Sequence, residues 1–473
     1  MIQRIFTSDD QLAFAKLSGD YNPLHMDPIL ARRLLFGRQV AHGLHVLLWS
    51  ADHYLKNRMQ PLALASVKAN FQAGIGVGQA VTCIFNRQSE HQVEIQLQID
   101  SRPAAWIQIA LSPPGQPPTD ILPAAKNPVP EKCRERSLDE VAAASGSLCL
   151  YFDKESAARL FPNLVRVLPP IQLAALLATT RLVGMECPGH HSIYSGLNLT
   201  FGSGRSGVPK LTYQVTDCNK RLALLLMEVE APGMKGQIKT FFRPKQQGQP
   251  AFAEIRHEVE SEEFSAQRAL IIGGSRGLGE VTAKLLAAGG AEVVITYYHG
   301  RQDAQQIVEE IVSHGAKAAC LPLNVIEPSQ GLLNRVENSS RPLYLYYFAT
   351  PPIFGAVKGK FSSQRLNTFV EYYVTGFLRT VQTLADAAAG LQKIFYPSSS
   401  AIEDLPLDMG EYAAAKMAGE ILCDFLQKAN PGLTIHKPRL ARIATDQTVS
   451  LLPVTNQDPV SVLLTHLRTL RQI

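Results

Sequence analysis

Arg268-Ala269-Leu270-Ile271-Ile272 is a short apolar run that turns at once into Gly273-Gly274-Ser275-Arg276-Gly277-Leu278-Gly279 and the start of a helix. Few patterns limit a fold as sharply. A strand that turns on glycine into a helix, followed by a second apolar strand at Ala291–Thr296, has βαβ rhythm. Parallel strands need such crossover helices. Glycines at 273, 277 and 279 allow the tight turn and close backbone approach that a pyrophosphate needs, with a helix N-terminus facing it. Residues 268–473 are therefore expected to form an α/β domain around a doubly wound parallel sheet.

The rest of the chain has a different rhythm. Residues 112–134 carry Pro113, Pro114, Pro117, Pro118, Pro123, Pro128 and Pro130 and little to bury, and 243–267 pass through Arg243-Pro244-Lys245-Gln246-Gln247 into a charged stretch. Both read as linkers and divide the chain into 1–111, 135–242 and 268–473. The first part has a helix-like run, Val40–Leu55, then strand-like runs at Leu62–Phe71, Ala80–Arg87, Gln92–Ile99 and Ala104–Leu111. Alternation from Val93 to Ile99 marks a half-buried antiparallel strand. The second part repeats the order, with a helix at Ile171–Val183 and strands near Ser192–Phe201, Lys210–Thr216, Leu222–Glu230 and Gln237–Phe242. One helix wrapped by an antiparallel sheet, twice, predicts an internally duplicated α+β unit.

Composition narrows the function classes. A surplus of five positive charges over 473 residues, without Lys/Arg blocks, does not support nucleic-acid binding. No apolar run approaches the ~18 residues of a membrane span, and the Met-Ile-Gln-Arg start has no apolar signal region. The seven cysteines (83, 133, 149, 187, 218, 320 and 423) form no C-x-x-C pair and read as reduced, mostly buried thiols. A cytoplasmic protein is expected, and a homodimer.

From Phe14 the sequence runs F-A-K-L-S-G-D-Y-N-P-L-H-M-D-P-I-L-A. It sets a carboxylate (Asp20), an amide (Asn22) and an imidazole (His25) along one turn whose backbone is fixed by Pro23. Asp20 and His25 can converge there on one water molecule. Farther on, Val40-Ala41-His42-Gly43 opens the apolar helix, where free N–H groups can hold a developing oxyanion. This segment resembles the hydratase 2 signature of the MaoC-like (R)-specific enoyl-CoA hydratases, which have the hot-dog fold. The shared features are the S-G-D-x-N-P-x-H core, Phe14 before it, Ala31 after it, and F-G-x-x-V-A-H-G at Phe36–Gly43. The resemblance implies that Asp20 and His25 activate water, Asn22 shapes the turn, and the Gly43 N–H polarises a thioester carbonyl. The second part lacks the triad and reads as the non-catalytic half of a double hot dog, shaping the acyl or pantetheine channel. Its His190-His191 pair has no third ligand at a recognisable spacing, so no metal is expected. His42 and His45, on the apolar helix, are expected to be core histidines.

In the third part, Tyr412-Ala413-Ala414-Ala415-Lys416 follows Ser398-Ser399-Ser400, with Ser399 thirteen residues before Tyr412. With the glycine turn, these resemble the short-chain dehydrogenase/reductase family over about residues 268–450, a Rossmann fold. The resemblance implies that Tyr412 exchanges a proton with the substrate oxygen and that Lys416 lowers the tyrosine's pKa and holds the nicotinamide ribose. Ser399 would orient the substrate oxygen, with Ser398 or Ser400 as register alternatives. Gly273, Ser275, Arg276, Gly277, Leu278, Gly279, Asn324, Val325 and Thr445 would contact the dinucleotide. Arg276 in the turn, Arg301 nearby, and no Asp after Ile295-Thr296-Tyr297-Tyr298-His299 favour NADP(H) over NAD(H). The pattern departs from the family at Tyr347-Phe348-Ala349-Thr350-Pro351-Pro352, at Asn324-Val325, and at Tyr373, where the family has an asparagine. Hydration of a 2-enoyl thioester gives the 3-hydroxyacyl thioester that such a reductase interconverts with the 3-oxoacyl form. The expectation is one bifunctional enzyme on acyl-CoA or acyl-carrier-protein thioesters. The alternative is a hydratase whose third part is a nucleotide-binding or structural scaffold.

Overall fold

The computed structural model describes residues 1–113, 132–202, 208–327, 341–354, 356, 358–386, 390–451 and 454–473. Most of the proline-rich stretch expected to be a linker lies outside these residues. The chain forms two compact units, Met1–Lys245 and Gln246–Val449, the latter completed by the C-terminal helix Pro459–Gln472.

The first unit is built on one antiparallel sheet. Its strands are β1 (Ile2–Ile5), β2 (Ala63–Phe71), β3 (Ala80–Gln88), β4 (Gln92–Ile99), β5 (Arg102–Ser112), β6 (Ser145–Cys149), β7 (Ser192–Phe201), β8 (Lys210–Asn219), β9 (Leu224–Ala231) and β10 (Met234–Phe242). They lie in the order β1-β3-β4-β5-β2-β7-β10-β9-β8-β6. The two similar halves meet at β2 and β7, where Val67 pairs with Leu199 and Asn70 with Gly196. At this seam a side chain on Gly196 would come within 2.7 Å of the Ala69 carbonyl oxygen.

Each half contributes one long helix, Gly43–Tyr54 and Pro170–Arg181. Both are apolar on nearly every face, so both must be buried. Leu44, Val46, Leu47, Leu48 and Trp49 of one helix, and Leu173, Ala174, Ala175, Leu176 and Leu177 of the other, enter a single core. Each fully buried leucine there stabilises the fold by roughly 1.5–3 kcal/mol.

The second unit has a parallel sheet of β11 (Arg268–Ile272), β12 (Glu292–Tyr297), β13 (Ala318–Pro322), β14 (Leu343–Tyr347), β15 (Leu391–Phe395) and β17 (Thr434–His436), beside a short pair, β16 (Ser398–Ser399) and β18 (Arg439–Leu440). The main order is β13-β12-β11-β14-β15-β17. Numbered within the sheet this is the 3-2-1-4-5-6 order of doubly wound dinucleotide folds. Period-two alternation along β11 feeds both faces. Ala269 and Ile271 pack with the helices Gly277–Ala288 and Pro459–Gln472, while Leu270 and Ile272 pack with Phe377, Val381 and Cys423.

Two expectations need correction. Residues 246–267 are not a free linker: Phe252, Ile255 and Phe264 are buried in the same core as Val281 and Leu285. Their apolar side chains are too widely spaced to show a period. The cysteines are also less buried than expected. All seven are free thiols, but only Cys83, Cys187 and Cys423 are buried, and Cys149 is exposed. Among the described residues no helix is long and apolar enough to cross a membrane.

Candidate active sites

The first site grows from the end of the helix Ser8–Ser18, which Gly19 terminates with a left-handed φ of 78°. The chain then turns through Asp20. Asn22 caps the short helix Pro23–Met26 by accepting the Leu24 N–H at 3.0 Å, with Pro23 at the first helical position. His25 follows one turn later, and its Nδ1 lies 2.9 Å from the Val40 carbonyl oxygen. A carbonyl only accepts, so Nδ1 carries the proton and Nε2 keeps its lone pair. Burial lowers the proton affinity of His25, with Asp20 opposing, so the neutral ring is the form available as a base.

Asp20 is 1% exposed. Its Oδ1 accepts the Asn22 N–H at 3.1 Å and its Oδ2 the Thr180 hydroxyl at 2.7 Å. Burial raises its pKa, while His25, Thr180 and Asn22 pull it back. The second half therefore reaches the site directly. After Arg181 the helix widens into a π-type segment, Leu182–Glu186, and a Cβ on Gly184 would stand 2.1 Å from Asp20 Oδ1. Asn22 Nδ2 donates to the carbonyls of Gly184 and Gly189 at 2.9 and 3.1 Å, tying the turn to that segment. Gly43 starts the first half's helix, so its N–H has no intrahelical acceptor.

Thr180, Gly184 and Gln11 escaped the sequence reading. Hydroxyl residues and a glycine inside an otherwise apolar helix were the available signal. Ligand atoms of Asp20, His25 and His42 lie within 4.8 Å of one another. Both ring nitrogens of His42, however, face oxygen acceptors, Gln11 Oε1 at 2.9 Å and the Asp20 carbonyl at 3.0 Å, which leaves that ring a poor metal ligand. His45 is a core histidine: it is fully buried, stacks on Phe14 at 4.6 Å, and burial pushes its pKa down to about 3.

The second site lies at the C-terminal ends of the parallel strands. Gly273 turns with φ 80°, and a Cβ there would meet the Ala349 N at 2.9 Å. On Gly279 it would stand 2.3 Å from the Gly273 carbonyl oxygen, so both glycines exist for backbone packing. Gly277 differs. Its φ is 58°, and the nearest atoms to an added Cβ are 3.8 Å away, on Thr445 and Asp446. This buried glycine begins a twelve-residue helix, where a Cβ would fill the space beside Thr445 and Asp446, a turn that fits a pyrophosphate.

Arg276 is at that turn, but its Nη1 is 2.7 Å from Asp446 Oδ2. Ser275 and Thr445 are buried beside it, and Leu278 is half-buried. Asn324 Oδ1 accepts the Ile326 N–H at 3.2 Å, a turn-forming role, and Val325 lies in the core.

The structure brings Ser399, Tyr412 and Lys416 together. Ser399 faces Tyr412 closely enough to lower its phenol's pKa, whereas Ser398 is held by Glu420 and the Ser400 N–H by Leu440, which favours Ser399 among the register alternatives. Tyr412 and Lys416 sit one turn apart on the helix Gly410–Ala429. Burial pushes the Tyr412 phenol up, not towards neutrality, and pushes Lys416 down to about 7. The expected lowering of the tyrosine by Lys416 is thus absent: the lysine Nζ donates to the Pro397 carbonyl at 2.7 Å and lies 4.0 Å from the centroid of the Tyr373 ring. Tyr373, in the asparagine's place, fills this space and crosses Tyr412 edge to face at 5.7 Å.

A helix-and-sheet unit with a buried Asp-Asn-His turn, followed by a dinucleotide-type sheet carrying Ser, Tyr and Lys, defines an enzyme of two modules. The chain joins a MaoC-like domain to a short-chain dehydrogenase domain: the family described as MaoC like domain matches residues 2–99, and short chain dehydrogenase matches residues 267–433. It is 27% identical over 193 residues to the uncharacterized oxidoreductase YgfF of Escherichia coli, covering 38% of this chain and 78% of that one. A 62-residue stretch is 43% identical to a Synechocystis 3-oxoacyl-[acyl-carrier-protein] reductase, covering 13% of this chain and 25% of the relative. A 54-residue stretch is 48% identical to the peroxisomal hydratase-dehydrogenase-epimerase of Saccharomyces cerevisiae, covering 11% of this chain and 6% of the relative. Among solved structures, a Burkholderia cenocepacia short chain dehydrogenase in complex with NADP aligns at 23% identity and TM-score 0.38, covering 44% of this chain and 91% of that one.

Proposed function

We propose that the first unit is a double hot dog that adds water to, or removes it from, a 2-enoyl thioester with (R) stereochemistry. The observation that carries this is the His25 geometry: Nδ1 tied to the Val40 carbonyl, Nε2 left as a base, and Asp20 within the same cluster. His25 Nε2 takes a proton from the attacking water, which the Asp20 carboxylate orients, and the resulting imidazolium returns that proton to Cα. The Gly43 N–H stabilises the enolate oxygen as charge develops on it. Asn22 and Thr180 hold the carboxylate at the angle this needs.

In the second unit, Tyr412 gives a proton to the 3-oxo oxygen, Ser399 holds that oxygen, and Lys416, as an ammonium, stabilises the phenolate left behind. A bound nicotinamide supplies the hydride. The turn at Gly273–Gly279 and Thr445 would hold it, with NADP(H) preferred through Arg276. Working on one acyl-CoA or acyl-carrier-protein thioester, the two modules share the 3-hydroxyacyl intermediate. NADPH favours reduction followed by dehydration, as in fatty-acyl synthesis. A cytoplasmic homodimer without nucleic-acid partners fits the composition. One observation favours the second reading, a scaffold: Asp446 holds the arginine that would read the 2′-phosphate.

Asp20→Asn and His25→Ala should each lower hydration of a short enoyl-CoA by roughly 10²–10⁴, the usual contribution of one acid–base group. Absorbance of the enoyl thioester checks this. Parent rates in both variants would remove the assignment.

A further inference from the structure

His42 is fully buried, and both of its ring nitrogens face atoms that can only accept. Nδ1 lies 2.9 Å from Gln11 Oε1, which also accepts the His42 backbone N–H at 3.0 Å. That second bond fixes the amide's orientation, because an NH₂ group there would set donor against donor. Nε2 lies 3.0 Å from the main-chain carbonyl oxygen of Asp20. A neutral imidazole has one N–H and one lone pair, so one of these contacts would press a lone pair against an oxygen. Only the imidazolium satisfies both.

The charge has a counterpart. Asp20 Oδ2 is 4.0 Å from His42 Nε2, and the carboxylate's direct hydrogen bonds come from neutral donors, Asn22 N–H and Thr180 Oγ1. The His25 ring stacks on His42 with centroids 3.9 Å apart, too close for both rings to carry a proton comfortably.

We propose that His42 is a positioning residue of the hydration site, held as an imidazolium that pairs with Asp20 and keeps His25 neutral. The catalytic half of this statement rests on the hydratase reading above. The titratable groups facing the pair are Asp20 from the turn, His25 from Pro23–Met26, His45 from the helix that His42 caps, Arg243 from the end of β10, which acts on His25, and Cys133 and Tyr151, which face Asp20. Burial first, then His25 and His45, pull the His42 pKa well below the ordinary imidazole value, with the Asp20 carbonyl opposing, so the charge has to be carried by the hydrogen-bond geometry. Two acceptors at hydrogen-bonding distance and a buried carboxylate favour it, and Gln11 Oε1 cannot turn away without losing the His42 backbone N–H.

Histidine ¹⁵N NMR on the full chain tests the charge state without turnover. The result expected is both His42 nitrogens protonated from about pH 6 to 8 while His25 keeps one bare nitrogen. Gln11→Met removes one acceptor and touches neither Asp20 nor His25. It should lower the pH at which His42 loses its proton and move the acid limb of kcat/KM for hydration up by about one unit, because His25 then competes for the proton. His42→Gln should move the limb the same way, whereas a purely structural histidine would lower the rate and leave the limb in place. A His42 with one bare nitrogen throughout that range overturns the proposal. An imidazolium in a protein that hydrates no enoyl thioester overturns its catalytic role and, with it, the hydratase reading, while leaving the ion pair.

Discussion

Arg276 is where the sequence and the structure pull in different directions. Its place in the glycine turn suits a ribose 2′-phosphate, yet it bonds Asp446, which is 5% exposed. Both statements hold if the phosphate displaces the carboxylate on binding. Arg276→Ala should then weaken NADPH binding roughly ten- to a hundredfold and leave NADH nearly unchanged, the loss of one charge-assisted partner. Asp446→Asn, by removing the carboxylate charge that competes with the phosphate, should tighten NADPH. Fluorescence titration with both nicotinamides reads the difference, and equal changes for the two would show that Arg276 only supports the turn. Lys416 makes a prediction about stability. Its pKa of about 7 in the fold lies below the ordinary lysine value of 10.5, so between those values the unfolded chain binds more protons. Stability from this group therefore rises with pH across that window, and the full cost of a buried ammonium stands below it. Thermal midpoints measured near pH 7 and about pH 9 should show a rise in the parent that Lys416→Met flattens. Parallel profiles for the two proteins would place the ammonium in a more polar setting than its neighbours indicate.

At the scale of elements, the helix Pro170–Arg181 and the π-type segment after it carry a role that no motif announces. The turn at Asp20 was legible because its chemistry is local: proline, amide, acid and imidazole lie within six residues. Thr180 reaches Asp20 across 160 residues, and sequence order holds no trace of that contact. The helix and strand runs of the first unit were legible from their periods, although the structure starts β10 at Met234, three residues before the reading did. Short β1 and β6 were missed, being four and five residues long with weak alternation. Gly184 gives the sharpest test. A methyl there would meet Asp20 Oδ1 at 2.1 Å, so Gly184→Ala should displace the carboxylate and cost at least a hundredfold in hydration, as small misplacements of catalytic groups do. Thr180→Val removes only the hydroxyl and should cost about tenfold, in line with ~1–1.5 kcal/mol for one hydrogen bond. If Gly184→Ala keeps the parent hydration rate and the parent thermal midpoint, Asp20 has no fixed place in the reaction.

For the molecule as a whole, the parallel sheet was readable from the βαβ rhythm, a strand, glycine turn and helix followed by the second apolar strand at Ala291–Thr296. The start of that unit was not. Phe252 and Ile255 bury themselves among helices far along the chain, and the charged residues between them and Phe264 hid the pattern. Tyr373 was visible as a departure, but its consequence needed coordinates: the ring lies under Lys416 and beside Tyr412. The account rests on one chain passing a 3-hydroxyacyl thioester between two chemistries, and one coupled assay reaches that claim. Purified protein is given a short trans-2-enoyl-CoA with NADP⁺ while reduced nicotinamide and acyl products are followed together. The parent should form the (R)-3-hydroxyacyl thioester and then oxidise it to the 3-oxoacyl thioester as NADP⁺ is reduced to NADPH. Tyr412→Phe, which removes only the phenolic oxygen, should stop at the hydroxyacyl product at the parent rate of hydration. Hydration with no reduced nicotinamide in the parent, across carrier-bound as well as CoA substrates and with either nicotinamide, would contradict the bifunctional account and leave the second unit a scaffold.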